Sequence, residues 1–495
     1  MMNELEIERK FLLSPCSMKR FLKKNAIDPT PVAIEQFYLL STAASTERYR
    51  RKGEHYIHTL KRGGGLVREE HEEEVSAEEY RRKKSANSGG VIEKIRYRFD
   101  VEERIFELDA FRGVLKGLNV LEVEFGSEEE ARSFELPAYF QKILISEVTE
   151  NPAFTNGAIS RSMRIPTIET DLEEMLRTVE KKDDFLQASL KVDLTAYESR
   201  AHALKILIFS LAKSVEANAE AIRGGDKAPQ RLHQLRVAMR KIRAILSQLG
   251  FLFDEEWLQT HKTRLSELMA QTGPKRDVDV YLLEIKHYKT MIEPRHHKGI
   301  GHLEAYLLTL QEKLERDLVA SLGGDAFREE LEALFDFSRD PSLARLRDPL
   351  DGPILLSIKP SLRKIDHKVR KNAAKLDTDS DAQAYHAVRI KVKKLRYMME
   401  FFASLFEREA YTEMLKQLKT IQTILGEHQD LQAQRMHLKE FAALPQLHDK
   451  TTRKAIDALR HEMKKLEIKK RGSFRAAYKS FARTERLFRR MMCRF

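Results

Sequence analysis

The sequence predicts an α+β protein of more than one domain, a β-rich half followed by an all-helical half. Three observations predict it. Residues 1 to about 160 hold short runs in which charged and apolar residues alternate. From about 195 the apolar residues recur at helical spacing. The helical half also repeats itself at an offset of 153 residues, the distance from His233 to His386.

The β-rich half opens with ELEIERKFLL, Glu4 to Leu13. Glu4, Glu6, Glu8 and Lys10 share one parity and Leu5, Ile7 and Phe11 the other, with Arg9 the exception; in a strand these are opposite faces. Further period-two segments fall at 46–51, 55–61, 66–75, 91–99, 104–110 and 119–125, separated by glycine-bearing turns at 53–54, 63–65 and 88–90. Helical patterns interrupt them at 14–24, 77–84 and 127–134. After Pro166 comes a helical stretch from Asp171 to Lys182, and then long amphipathic helices broken at 223–229, 323–325 and 340–353. The expected layout is a β-rich domain over 1–165, a linker over 166–194 and a helical domain over 195–495, whose two copies span about 195–340 and 350–495.

Lys and Arg number 88 against 76 Asp and Glu, a formal charge of +12, so polyanions are the expected partners. Only Cys16 and Cys493 are present, too few for a disulfide framework. With no secretory pattern and no apolar run of membrane-spanning length, the expectation is a soluble cytoplasmic protein with no membrane partner.

The opening parity recurs in Arg48 and Arg50, Glu70 and Glu72, Lys94 and Arg96, Glu107 and Asp109, and Glu122 and Glu124. One such strand usually means an open sheet with a wet side. Here, however, the signs separate. Acids dominate the first and last strands, and bases those at 48–50, 61 and 94–96. A sheet closed with these charges inward is costly unless something compensates them. A metal-bound phosphate chain does so, because carboxylates hold Mg²⁺ or Mn²⁺ while Arg and Lys clamp phosphate oxygens.

At these residues the chain resembles the CYTH domain, the fold of the triphosphate tunnel metalloenzymes. The signature ExExK matches Glu6 to Lys10. QFYL (36–39), ERYRR (47–51), HTLK (58–61), REEHE (68–72), EKIRY (93–97), FELDAFRG (106–113), LEVEF (121–125) and EVTENPAFTN (147–156) follow in family order, over residues 3–160. The resemblance implies an eight-stranded antiparallel tunnel. It also implies metal ligands at Glu6, Glu8, Glu72, Glu122 and Glu124, and triphosphate contacts at Lys10, Arg48, Arg50, Lys61, Lys94 and Arg96. Two Mg²⁺ or Mn²⁺ ions per tunnel are the implied cofactors, with Glu6, Glu8 and Lys94 catalytic and Lys94 stabilising the leaving phosphate. The activity expected is hydrolysis of inorganic triphosphate to pyrophosphate and phosphate. A thiamine or adenine ring would want aromatic surface, yet the sole tryptophan, Trp257, lies in the helical half. Thiamine triphosphatase, adenylyl cyclase and a non-catalytic polyphosphate scaffold stand as alternatives.

In the helical half HQLRVAMRKIR (233–243) matches HAVRIKVKKLR (386–396). The offset takes His233, Arg236, Arg240 and Arg243 to His386, Arg389, Lys393 and Arg396, and Gly273 and Asp277 to Gly426 and Asp430. On a helix the four basic positions share an arc of about 80°, apart from Leu235, Met239, Ile242 and Leu249. A solvated face does not need one register twice. Two stripes about a pseudo-two-fold axis predict one basic groove, pointing away from the cores and neutralised at little cost in stability. Interleaved aromatics for nucleic acid are lacking. This half resembles the CHAD domain over about 195–490, through both stripes, TGPKRDVDV (272–280) and LGEHQDLQA (425–433). The second copy departs at Gln429 and Gln432, opposite Arg276 and Asp279. The resemblance implies a module that binds inorganic polyphosphate through the eight stripe residues.

Overall fold

The computed structural model describes residues 7–42, 45–62, 69–168, 170–181, 184–188, 192–347, 352–377 and 379–493. The first half is one antiparallel sheet: β1 (Ile7–Leu13), β2 (Thr30–Ser41), β3 (Ser45–Lys52), β4 (His55–Arg62), β5 (Glu69–Glu74), β6 (Ile92–Val101), β7 (Arg104–Phe111), β8 (Asn119–Phe125) and β9 (Leu144–Glu147). Their order is β5-β4-β3-β2-β6-β7-β8-β1-β9. The expected eight strands are therefore nine, and among the described residues the edge strands β5 and β9 do not pair to close the sheet. The alternation missed β2 and β9. β2 carries Pro31 and the unbroken run FYLL, so period two is lost along it, and β9 has only four residues.

Register decides which side chains share a face. Glu72 stands opposite Thr59, Thr59 opposite Arg48, Arg96 opposite Asp109, Glu107 opposite Glu122, Glu122 opposite Lys10, and Glu124 opposite Glu8. One face thus carries charged side chains from β1, β3, β5, β6, β7 and β8. The other is apolar: Phe11, Leu13, Phe99, Phe106, Leu121 and Val123 are buried. They lie beneath Leu22 of α1 (Met18–Lys24), Ala131 of α3 (Glu128–Ser133) and Phe140 of α4 (Ala138–Gln141). Farther along the same face Phe37 and Tyr49 pack on Tyr80 of α2 (Ala77–Ala86). The exception in the opening strand has a reason. Arg9 lies on the apolar face, pairs with Glu147 of β9 at 2.6 Å, and donates to the carbonyls of Ala131 and Phe134 at the end of α3.

The charged face ends in an apolar layer of Leu12, Ile92, Phe111 and Val120, continuous with the helical core. α5 (Asn156–Ser162) packs against β2 and β6 there. Gly90 lets it approach: a Cβ at Gly90 would lie 2.0 Å from the Met163 side chain. Tyr197 is buried, and its hydroxyl donates to the Gly117 carbonyl at 2.7 Å with Leu13 O at 3.3 Å, fastening the sheet to the helices.

α6 (Leu172–Glu180), capped by Asp171, leads into the helical half. The first copy holds α7 (Arg200–Arg223), α8 (Pro229–Gln248), α9 (Glu255–Gln271), α10 (Gly273–Met291), α11 (His297–Gly323) and α12 (Asp325–Arg339). The second holds α13 (Ile354–Ala373), α14 (Ala382–Phe401), α15 (Arg408–Ala442), α16 (Lys450–Ala482) and α17 (Glu485–Cys493). In α7, 16 of 24 residues are buried, which makes it a central helix with no wet side. The 153-residue offset carries α8 onto α14 end to end, and the start of α11 onto the start of α16. It also carries α9 and α10 together onto the single helix α15, because Pro274 has become Glu427 and the break is gone. The copies meet at equivalent positions: the Tyr281 hydroxyl donates to the Gln434 carbonyl at 2.8 Å, residues 153 apart. Among the described residues no helix is long and apolar enough to cross a membrane.

Candidate functional site

The charged face is organised around Asp109 and Arg96. Lys94, buried with 1% exposure, donates to Asp109 at 2.5 Å and to Asn156 of α5 at 3.2 Å. Arg96 forks onto both oxygens of Asp109 at 2.8 and 2.7 Å, reaches Glu122 at 2.9 Å, and bonds Glu107. Burial alone would raise Asp109, but Lys94 and Arg96 hold it well below the carboxylate range. Burial pushes Lys94 down to about 8, Arg96 and Arg50 adding to the effect and Asp109 opposing it. Lys10 lies between Glu8 (2.8 Å) and Glu122 (3.2 Å); burial would lower it, but the two carboxylates push it above its usual range.

On the β3 side the cations have fewer partners. Arg48 reaches Glu72 and Thr59, while its Nε is buried with no hydrogen-bond partner. Arg50 has no carboxylate partner among the described residues and only the Gln36 side-chain oxygen at 3.3 Å. Burial first, then Arg48 and Arg96, push Arg50 down to about 10. A guanidinium in that state is destabilised until an anion arrives.

The structure thus brings together Glu8, Lys10, Arg48, Arg50, Glu72, Lys94, Arg96 and Glu122 on one face, with Glu124 opposite Glu8. Glu6 lies outside the described residues. For Lys61 the backbone is described, paired with Thr46 and Glu70. Two carboxylates directly opposite across a ladder repel, and hard oxygen donors such as Glu8 and Glu124 suit a divalent cation. Among the described residues no three acidic, His or Cys side chains already gather in metal-holding geometry. Parity placed Asp109 beside Glu107 in the alternation but did not single it out as a site residue. Gln36 and Asn156 carry no charge and gave no such signal.

The second assembly joins α8 to α14, with Lys241 and Glu400 3.7 Å apart across the contact. All eight stripe residues are half-buried, which corrects the expectation that they project freely into solvent. Arg236 is tied to the Met269 carbonyl and the Thr272 hydroxyl, both at 2.6 Å, and Arg243 leans on Met269 Sδ. His386 bonds Gln429 at 2.8 Å, Arg389 lies 3.6 Å from Asp430, and Arg396 is 3.7 Å from Glu400. Arg240 belongs to both copies. Its charge acts on His233, Arg236 and Arg276 of the first and on Arg389 and Lys393 of the second. Burial, then Arg276 and Arg240, push His233 down to about 4; burial, then Arg389 and Arg240, push Lys393 down to about 8. The Nε atoms of Arg240, Arg389 and Arg396 are buried without a hydrogen-bond partner. The stripes therefore meet in a cation-rich groove with donors left over.

Comparison with known proteins agrees with both halves. The CYTH domain family model matches residues 4–151 and the CHAD domain model residues 207–439. An inorganic triphosphatase of Nitrosomonas europaea is 36% identical over 160 residues, 32% of this chain and 98% of that protein. The crystal structure of the inorganic triphosphatase NE1496 is 32% identical, covers 32% of this chain and 95% of that one, and has a TM-score of 0.25. The helical half shares its fold with the CHAD domain from the plant Ricinus communis, 21% identical, covering 60% of this chain and 97% of that one at a TM-score of 0.50. The chain belongs to the CYTH domain family, and a CHAD domain follows in the same polypeptide.

Proposed function

We propose that the charged sheet face hydrolyses inorganic triphosphate with the help of Mg²⁺ or Mn²⁺, and that the helical groove binds inorganic polyphosphate. The observation that carries the first part is Arg50, a half-buried cation without a counter-carboxylate among the described residues, set between Arg48 and Arg96 on a face that also holds the opposed pair Glu8 and Glu124. The similarity to a triphosphatase over nearly that protein's whole length supports it.

Glu6, Glu8, Glu122 and Glu124, with Glu72, would hold one or two divalent ions, which when bound offset phosphate charge and acidify a bound water. The remaining work falls to the chain's own groups. Arg48, Arg50, Arg96, Lys10 and Lys61 bind phosphate oxygens and orient the chain for in-line attack. A water adds to the terminal phosphorus, its proton passes to a carboxylate of the Glu6 and Glu8 row, and the bond to the bridging oxygen breaks to release pyrophosphate. Lys94, held by Asp109 and Asn156, shares Asp109 with Arg96 and offers positive charge to the leaving group. This chemistry belongs to residues 1–165 and polyphosphate binding to residues 195–495, joined by the linker at 166–194. The two-cysteine composition supports a reducing cytoplasm as the setting.

The test is phosphate release from tripolyphosphate, ATP and thiamine triphosphate, each with and without Mg²⁺ or Mn²⁺. Metal-dependent release, fastest from tripolyphosphate, is expected. Preference for ATP with cyclic product indicates a cyclase, and no release from any substrate leaves a polyphosphate-binding scaffold.

A further inference from the structure

A cavity of about 990 Å³ opens between the sheet and the second helical copy, away from both charged assemblies. One wall is α1 and the segment around Lys142; the other is α17 and the turn before α15. Six of its lining side chains are cations, Arg20, Lys24, Lys142, Arg486, Arg489 and Arg490, and Glu407 is the one acid. That acid is engaged by Arg490, whose guanidinium reaches both oxygens at 3.1 and 3.0 Å, and Arg489 is paired with Glu485 at 2.6 Å. Arg20, Lys24, Lys142 and Arg486 have no ion-pair partner among the described residues. Arg20, Lys24 and Lys142 stand on the first wall and Arg486 on the second, so unpaired positive charge faces the opening from both domains.

The interior has a different character. Phe21, Tyr139 and Phe406 line it, with the Phe21 and Tyr139 rings 6.4 Å apart. Ser14 and Ser17 add short polar groups. A bare phosphate chain gains nothing from aromatic surface, whereas a planar ring stacks on it. An acyl chain would use that surface but not four uncompensated cations. The volume lies at the upper end of the range typical for small-molecule sites, about 300–1,000 Å³.

We propose that this cavity binds a nucleoside phosphate, its base on the Phe21 and Tyr139 side and its phosphates toward Arg20, Lys24 and Arg486. Because Arg20 and Arg486 come from the two different domains, an occupant bridges them. The site is independent of the triphosphatase reading.

The experiment is calorimetric titration of the full chain with ADP, a diphosphate that the triphosphate site is not built to hydrolyse. Saturable binding is expected, weakened at least tenfold by the exposed pair Arg20→Ala and Arg486→Ala and by Phe21→Leu. Arg50→Ala on the sheet face and Arg240→Ala in the groove should leave it unchanged. Inorganic pyrophosphate should displace ADP poorly, since it lacks the ring. Absence of ADP binding at millimolar concentration overturns the proposal, as does binding that survives Arg20→Ala with Arg486→Ala. Loss of binding in Arg50→Ala places the nucleotide on the sheet face and overturns it equally, and displacement by pyrophosphate as effective as by ADP reduces the cavity to a generic anion trap.

Discussion

The sheet face and the helical groove both concentrate Arg and Lys, but they balance that charge in opposite ways. On the sheet face Lys10, Arg48, Lys94 and Arg96 each have a carboxylate within 3.3 Å, and Arg50 stands apart. In the groove the nearest acids are at 3.6 and 3.7 Å, Arg236 is satisfied by a carbonyl and a hydroxyl, and three guanidinium Nε atoms have no partner. A site with both signs can hold a metal and take up a proton. A site where cations outnumber loosely placed acids can bind an anion but lacks the facing carboxylates that would hold a metal. The difference teaches that net charge, +12 for the chain, does not distinguish chemistry from storage; the placement of carboxylates does.

The largest expected effect breaks the balanced side. Asp109→Asn leaves Lys94 buried with a neutral partner and takes from Arg96 one of its three carboxylates, and losing one member of a buried ion network costs about 3–5 kcal/mol. Chemical denaturation should show this loss, and no stability change would mean the network is not what holds the face together. Next comes Glu8→Gln. It removes one of two facing carboxylates, so the metal-free melting temperature should hold, while triphosphate hydrolysis falls by about 10²–10³, the usual cost of losing one preorganised charged group. Phosphate release from tripolyphosphate checks it, and full activity with unchanged metal dependence would sink the assignment of the Glu row.

The groove should respond in affinity and not in fold. Hydrogen bonds to charged groups contribute about 1.5–3 kcal/mol, so Arg240→Ala should weaken polyphosphate binding roughly 10- to 100-fold with little change in melting temperature. Its salt dependence should flatten as well, by analogy with nucleic acids. Arg236→Ala sharpens the contrast. That residue ties α8 to Met269 and the buried Thr272, so it should lower stability in a way Arg240→Ala does not.

The smallest effect separates the two copies by pH. Lys393 occupies the position of Arg240, and burial with its basic neighbours lowers it from 10.5 to about 8. Between these values the unfolded chain binds more protons than the folded one, so this residue makes stability rise with pH across that window. Its attraction for an anion runs the other way and fades above pH 8. A half-buried charge contact is worth up to about 1 kcal/mol, so polyphosphate affinity should fall by about fivefold or less from pH 7 to 9.5. Lys393→Arg should abolish the drop, and a drop that persists in that variant assigns it to another group.

Much of this was legible before any coordinates. Glu8, Lys10, Arg48, Arg50, Lys94, Arg96 and Glu122 fell on one face because a strand has a period of two, and a charge every second residue cannot be hidden from that count. The repeat was readable because His233 and His386 sit in the same register of basic and apolar residues. What the sequence concealed depends on pairing. β2 is the bridge between the two halves of the sheet, yet its run of mixed apolar residues has no period to read. Arg9 broke the opening alternation for a reason located 138 residues away, at Glu147. The double role of Arg240 is set by how α8 meets α14, which no single helix encodes. Half-burial of the stripes has the same origin.

The replacement of Pro274 by Glu427 has a mechanical consequence. The first copy is jointed at Thr272, whereas α15 runs 35 residues without interruption, a rod about 52 Å long at about 1.5 Å per residue. One end of that rod begins at Arg408, beside the turn that walls the interdomain cavity. Its middle presents Gln429 and Asp430 to His386 and Arg389. Its far end carries Gln434 and Leu438 against the first copy. A joint absorbs a push, and a rod delivers it. The continuous helix ties the positions of Arg408, the groove and the seam between the copies to one another, and a Glu427→Pro change would restore the break that the first copy has there.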